Sequence, residues 1–186
     1  MKTFTDIGQF RQVIRAVKSH SDYCGKDESG TPIYRHTSPY PKLTFNGTIK
    51  LHGTNSSIVL YKDGHIEYQS RERVLELGSD NNGFMLAMSN IDTKKLFEGI
   101  QFNDYCAIYG EWCGQGINSG CAIHQLPKMW ILFGIKIDDV YQDFSKFSHL
   151  KMEDKRIFNI YQFEHYSMEI DFENPELAQW LAHIKR

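Results

Sequence analysis

The most informative stretch of the chain is Gly47-Thr48-Ile49-Lys50-Leu51-His52-Gly53-Thr54-Asn55. A lysine at a strand end, followed by a turn of glycine and small polar residues, can point its amine into a cleft where backbone N–H groups meet a phosphate. On its own such a lysine is more often a surface residue. Three further segments follow in order: Ser70-Arg71-Glu72-Arg73, Ile108-Tyr109-Gly110-Glu111-Trp112-Cys113-Gly114 and Trp130-Ile131-Leu132-Phe133-Gly134-Ile135-Lys136-Ile137. Each has a plain structural reading. Arg71 can pair with Glu67 or Glu72 across a hairpin, Glu111 can end a strand in solvent, and Phe133 can pack in a core strand. Taken together they supply a nucleophilic amine, a guanidinium fork suited to phosphate, a carboxylate and an aromatic ring.

In this order the four segments resemble motifs I, Ia, III and IIIa of the covalent nucleotidyltransferase superfamily, which comprises DNA ligases, RNA ligases and mRNA capping guanylyltransferases. DNA ligases and capping enzymes usually carry an aspartate two residues after the lysine and an arginine five after it. This chain has His52 and Asn55 at those places. The string K-L-H-G-T-N at Lys50 to Asn55 resembles instead the RNA ligase 2-like family, found in bacteriophages and among RNA-editing ligases.

The resemblance implies an ATP-dependent RNA ligase. Such an enzyme adenylylates itself on Lys50, passes AMP to a 5′-phosphate RNA end, and seals that end with a 3′-hydroxyl. Attack on the α-phosphorus needs a neutral amine, which desolvation or neighbouring positive charge favours. By resemblance, Arg71 neutralises phosphate charge, with Arg73 as second claimant, and one or two Mg2+ ions complete the neutralisation. Glu111 contacts the ribose or organises a metal through water, and Phe133 stacks on adenine. Ile49, Leu51, His52 and Asn55 hold the nucleotide or the RNA end. The metal ligands themselves are not assigned. The alternative is a non-catalytic module that keeps the nucleotide cleft or the RNA-end surface without turning over.

Relatives of this kind continue to motif IV, a carboxylate on a Gly-Ile-Val-type strand, and motif V, a Lys-x-Lys pair near the phosphates. After Ile137 no E-G-x-V string occurs, and the chain has no K-x-K. Glu98-Gly99-Ile100 has the letters of motif IV but precedes motif III. The expectation is therefore a single partial adenylyltransferase domain over residues 1–186. Its missing motifs would come from a further segment or a second polypeptide.

The elements that must position these residues are legible in outline. Phe4, Ile7, Phe10, Val13, Ile14 and Val17 recur at helical spacing and predict a first helix from about Thr5 to about Ser19. Ser21 to Lys42, with its glycines and prolines, reads as a loop. Leu43–Lys50, Ser57–Lys62 and His65–Arg71 read as strands of an antiparallel meander, with Asp63-Gly64 a strong hairpin turn. Phe84–Phe97 is a helix candidate. Tyr105–Trp112, Met129–Ile137 and Arg156–Phe163 read as strands, and Pro175–Ile184 as a C-terminal helix with Asn174 as cap. The fold class is α+β, a nucleotidyltransferase (ATP-grasp-like) domain of antiparallel sheets flanked by helices that stops before motifs IV and V.

Composition sets the bounds. At 186 residues with 41% hydrophobic residues, the chain can bury a substantial core, which excludes overall disorder. No apolar run reaches the roughly 20 residues that span a bilayer, and the first ten have no signal-peptide pattern. The expected setting is the cytoplasm, a host cytoplasm if the gene belongs to a phage, with no membrane contact. Cys24, Cys106, Cys113 and Cys121 form no C-x-x-C pair and read as reduced thiols. The net charge is -2, but residues 1–75 carry 11 Lys/Arg against 7 Asp/Glu, so a polyanion would favour the first half.

Overall fold

The computed structural model describes residues 1–6 and 8–175. In chain order the elements are α1 (Phe10–Asp22), β1 (Tyr23–Lys26), β2 (Pro32–Tyr34), β3 (Lys42–Thr48), β4 (Thr54–Tyr61), β5 (Ile66–Ser70) and α2 (Phe84–Ser89). There follow β6 (Tyr105–Cys113), β7 (Met129–Ile137), β8 (Val140–Tyr141), β9 (Ile157–Asn159) and β10 (His165–Asp171), with short 3-10 turns between. The chain divides into two compact units. One is Met1–Thr5 with Thr48–Glu164, and the other is Asp6–Gly47 with the segment from His165 onward.

In the second unit β3 pairs with β10, and β1 pairs with β2 as an antiparallel hairpin. Its core is Ile14 of α1 with Ile170 and Phe172, flanked by Phe10, Val13, Val17, Tyr40 and Phe45. Two sequence expectations are corrected here. The helix begins at Phe10 rather than near Thr5, with the Gln12 side chain accepting from the Gln9 N–H at 2.6 Å. Phe4, which carried the periodicity backwards, packs in the other unit. The segment Ser21–Lys42 is not all loop. Asp27 Oδ1 accepts from the Ser29 and Thr31 N–H groups at 2.9 and 2.8 Å, and Gly30 takes the left-handed conformation. That turn closes the β1–β2 hairpin.

The first unit is built on a six-stranded sheet ordered β5-β4-β6-β7-β8, with β9 running parallel to β7 and the other pairs antiparallel. β3 is not part of it, so the expected three-strand meander reduces to β4 and β5. Asp63-Gly64 does form their turn: Gly64 N–H donates to Tyr61 O, and Asp63 accepts from His65 N–H. Along β4, Ile58 and Val59 join different clusters, as the two-residue strand period requires. One face packs Ile58, Ile108, Trp112 and Trp130 against Phe84 and Met88 of α2 and against Leu96 and Phe97. The other packs Val59, Tyr105, Ala107 and Tyr109 against Phe4 and Phe133.

The predicted strand Met129–Ile137 is β7 to the residue. The helix expected over Phe84–Phe97 is shorter: α2 ends at Ser89, and a 3-10 turn covers Thr93–Phe97. The strand expected over Arg156–Phe163 is confined to β9 and gives way to a 3-10 turn at Ile160–Gln162. The expected helix Pro175–Ile184 lies, past Pro175, outside the described residues. Among the described residues no helix is long and apolar enough to cross a membrane.

Candidate active site

A pocket of about 520 Å3 opens at the end of the sheet where β4, β5 and β6 meet. Gly53–Asn55 and Ser70–Arg73 line it, together with Asn81 and Glu111. The sheet register explains this convergence. Asn55 stands opposite Glu111 across β4 and β6, and Ser56 stands opposite Ser70 across β4 and β5.

Lys50 lies between β3, which ends at Thr48, and β4, which starts at Thr54. It is exposed, as are Ile49 and His52, whereas Leu51 packs against the main core and ties the segment down. Gly53 is the fixed point of the segment. Its N–H donates to Glu111 Oε1 at 2.8 Å, and its carbonyl accepts from Asn118 Nδ2 at 2.6 Å. Any Cβ here would lie 2.3 Å from the Trp112 carbonyl oxygen and 2.7 Å from Cys113 Cβ, so only glycine fits.

Glu111 is the electrostatic centre of the pocket. Burial pushes its carboxyl above the usual value of 4.5, and the Gly53 N–H, Arg71, His52 and Lys50 pull the other way. Of the residues singled out in the sequence, Arg71 lines the pocket with Glu111, while Lys50 and His52 act on the Glu111 carboxyl from outside the lining. Asn55 joins them through its register with Glu111. The neighbouring Cys113 thiol is buried and pushed up to about 12, first by burial and then by Glu111, which makes it inert.

The turn after β5 holds the arginines. Ser70 Oγ accepts from the Glu72 and Arg73 N–H groups, and Ser70 N–H donates to Arg73 O at 2.9 Å. Arg73 reaches Asp80 O at 3.3 Å.

Phe133 is elsewhere. Its ring on β7 stands edge-on to Phe4, 5.1 Å between centroids, and Phe4 also meets Tyr109 at 5.1 Å and Tyr141 at 5.3 Å. Phe133 does not line the pocket around Glu111.

Asn81 went unnoticed in the sequence, where Asp80-Asn81-Asn82-Gly83 reads as an ordinary turn. Its Nδ2 donates to Thr54 Oγ1 at 3.1 Å, Ser56 Oγ at 3.2 Å and Asn55 O at 3.4 Å. Asn118 gave no signal either, because its contact spans 65 residues of sequence.

The donor set suits a phosphate-bound divalent cation. Glu72 and Glu111 are the carboxylates lining the pocket, and Mg2+ commonly takes one or two carboxylates, leaving its other positions to phosphate oxygens and water. No group of three or more His, Cys, Asp or Glu able to hold a metal unaided occurs among the described residues.

Comparison with known proteins gives these features a family. The RNA ligase family model matches residues 44–179. Among solved structures, a Naegleria gruberi RNA ligase mutant with AMP and Mn is similar at 15% identity and a TM-score of 0.57, over 90% of this chain and 43% of that one. The same organism's RNA ligase with PPi is similar at 18% identity and a TM-score of 0.56, over 92% and 44%. The chain thus spans less than half the length of these proteins, and at such identities the likeness establishes the fold. A search of curated proteins finds no match. The family match, which covers most of the chain, and the nucleotidyltransferase-type fold agree with the motif order, and the chain belongs to the RNA ligase family.

Proposed function

We propose that this domain performs the nucleotidyl-transfer chemistry of an ATP-dependent RNA ligase of the RNA ligase 2-like type. The observation that carries the reading is that Asn55, Arg71 and the half-buried carboxylate Glu111 line one polar pocket that begins at Gly53, directly after the Lys50–His52 segment, whose two cations act on Glu111 without lining that pocket. The neutral Lys50 amine attacks the α-phosphorus of ATP, a P–N bond forms, pyrophosphate leaves, and the amine gives up a proton. The lysine-bound AMP is then transferred to a 5′-phosphate RNA end, and a 3′-hydroxyl displaces AMP to seal the strand.

Each residue has a physical part. Arg71 presents a planar fork to phosphate oxygens, and Arg73 lines the same pocket two residues on. Glu111 holds the Gly53 N–H and so fixes the backbone three residues after the nucleophile. A bound Mg2+ would lie with Glu72 and Glu111 and neutralise phosphate charge. His52, Asn55, Ile49 and Leu51 shape the nucleotide and RNA-end side, and Phe133 is the candidate for stacking on adenine. The strings of motifs IV and V do not occur in these 186 residues. Sealing is therefore expected to need a further segment or a second polypeptide that supplies them.

The test is to incubate the chain with ATP and Mg2+, measure its intact mass, and map the adduct. AMP on Lys50, absent from Lys50→Ala, supports the reading. AMP on another lysine overturns the assignment. ATP-dependent thermal stabilisation with no adduct favours the non-catalytic module.

A further inference from the structure

We infer that Asn118 is a positioning residue for the nucleophile segment, an assignment that rests on Lys50 being the adenylylated lysine. Both backbone polar groups of Gly53 are engaged by side chains: Glu111 takes the N–H and Asn118 Nδ2 takes the carbonyl, at 2.8 and 2.6 Å. The peptide planes on either side of Gly53 are thereby oriented from two directions. Asn81 holds the next step of the chain through Thr54 Oγ1 and the Asn55 carbonyl. Three side chains from separate parts of the first unit thus set the path of Gly53–Asn55.

Asn118 is able to act as a tether because its own loop is fixed. It lies in the connection from β6 to β7, next to Ile117, which is 1% exposed and belongs to the main core. Ile117 N–H donates to Gly114 O at 3.1 Å, and Gln115 N–H donates to Leu126 O at 2.8 Å, closing the base of the loop. Asn118 itself is left-handed, with φ 47°, a conformation that Asn, Asp and Gly tolerate best. A buried anchor at Ile117 and a left-handed neighbour direct an otherwise exposed amide onto the backbone beside the nucleophile.

In-line attack requires the amine and the α-phosphorus to meet within a narrow geometry, and a misplacement of about 1 Å can cost roughly 100-fold in rate. Losing the tether should therefore lower the rate of self-adenylylation and leave ATP binding intact.

The variants are Asn118→Gly, which keeps the left-handed backbone and removes the donor, and Asn118→Asp, which keeps the shape and replaces the donor with an acceptor. The measurements are the single-turnover rate of AMP attachment at saturating ATP, the half-saturating ATP concentration, and hydrogen exchange over residues 51–56. The expected result is a rate at least about 10-fold lower in both variants, unchanged half-saturation, and faster exchange in that segment alone. Parent-like rates, or losses wholly accounted for by weaker ATP binding, overturn the assignment. An absence of adduct on Lys50 in the parent chain overturns the nucleophile assignment on which this inference rests. In that event unchanged exchange over 51–56 in Asn118→Asp would show separately that the tether is not there.

Discussion

Glu111 and Gly53 are locked together in two ways. The carboxylate accepts the Gly53 N–H at 2.8 Å, and the Glu111 Cγ lies 3.0 Å from where a Cβ on residue 53 would stand. The carboxylate thus holds the turn after Lys50 and at the same time faces the pocket.

Gly53→Ala follows directly. The added methyl would meet the Trp112 carbonyl oxygen at 2.3 Å, and that oxygen belongs to a central strand that cannot easily yield. Overpacking of this kind costs about 1–3 kcal/mol, which for a chain of this size corresponds to a melting temperature lowered by roughly 2–12 °C. AMP attachment should fall with it. A parent-like melting curve would mean that the strand end is softer than its position in the sheet implies.

Glu111 also makes a signed prediction about pH. Its folded-state carboxyl lies above the usual 4.5, so in the window just above 4.5 the folded state binds more protons than the unfolded state. This group therefore contributes a loss of stability as pH rises through that window. Glu111→Gln keeps an oxygen to accept the Gly53 N–H but has no charge to bury. The melting temperature of the variant relative to the parent should climb from about pH 4 to neutrality, while AMP attachment is lost throughout. A difference that stays flat or falls with pH would contradict the placement of Glu111 in a desolvated site.

Asp80 supports the same pocket from behind. Its carboxylate accepts from the Asn81 N–H at 2.6 Å and from the Met85 and Leu86 N–H groups at 2.8 and 3.0 Å, which are in the first turn of α2. Asp80→Ala leaves those amides without their acceptor, a loss comparable to that of a helix cap at about 1 kcal/mol. It also frees Asn81, which holds Thr54 and Asn55. The expected outcome is a modest fall in melting temperature together with weaker ATP-induced stabilisation. Loss of stability with ATP binding intact would confine Asp80 to capping.

How much of this was legible in the sequence depended on the range of the interaction. Asp63-Gly64 encodes its turn locally, and Met129–Ile137 is apolar throughout apart from Gly134 and Lys136, so both read through correctly. Leu43–Lys50 looked like the first strand of the same meander. Whether β3 pairs with β4 or with β10 is decided by contacts more than a hundred residues apart, which no local pattern carries. The first helix was misplaced because Phe4 continues the spacing of Ile7, Phe10 and Val13 but is used by a different core. The site shows the same division. Lys50, Arg71 and Glu111 were visible as motif residues, whereas Asn81 and Asn118 act by hydrogen-bonding distant backbone and differ in no way from turn asparagines when read along the chain.

The last prediction concerns Phe133, whose expected role and observed surroundings pull in different directions. As an adenine platform it must offer a ring face, yet Phe4 sits edge-on to it at 5.1 Å and Phe4 is held in turn by Tyr109 and Tyr141. Leucine at 133 would preserve apolar contact with Phe4 while removing the flat ring, and leucine at 4 would disturb the same cluster without touching the platform. If Phe133 stacks on the base, Phe133→Leu should weaken ATP binding by about 1–3 kcal/mol, or roughly 5- to 150-fold, and blunt any preference for ATP over GTP, while Phe4→Leu should leave both intact or favour ATP. Thermal-shift titration with the two nucleotides reads this out, because a ligand that binds only the folded state raises the melting temperature. Equal losses in both variants would assign Phe133 to packing alone, since a cluster that serves only stability responds alike to the trimming of either ring. Parent-like stabilisation by GTP at or above that by ATP would argue for a guanine pocket and against the ATP-dependent reading.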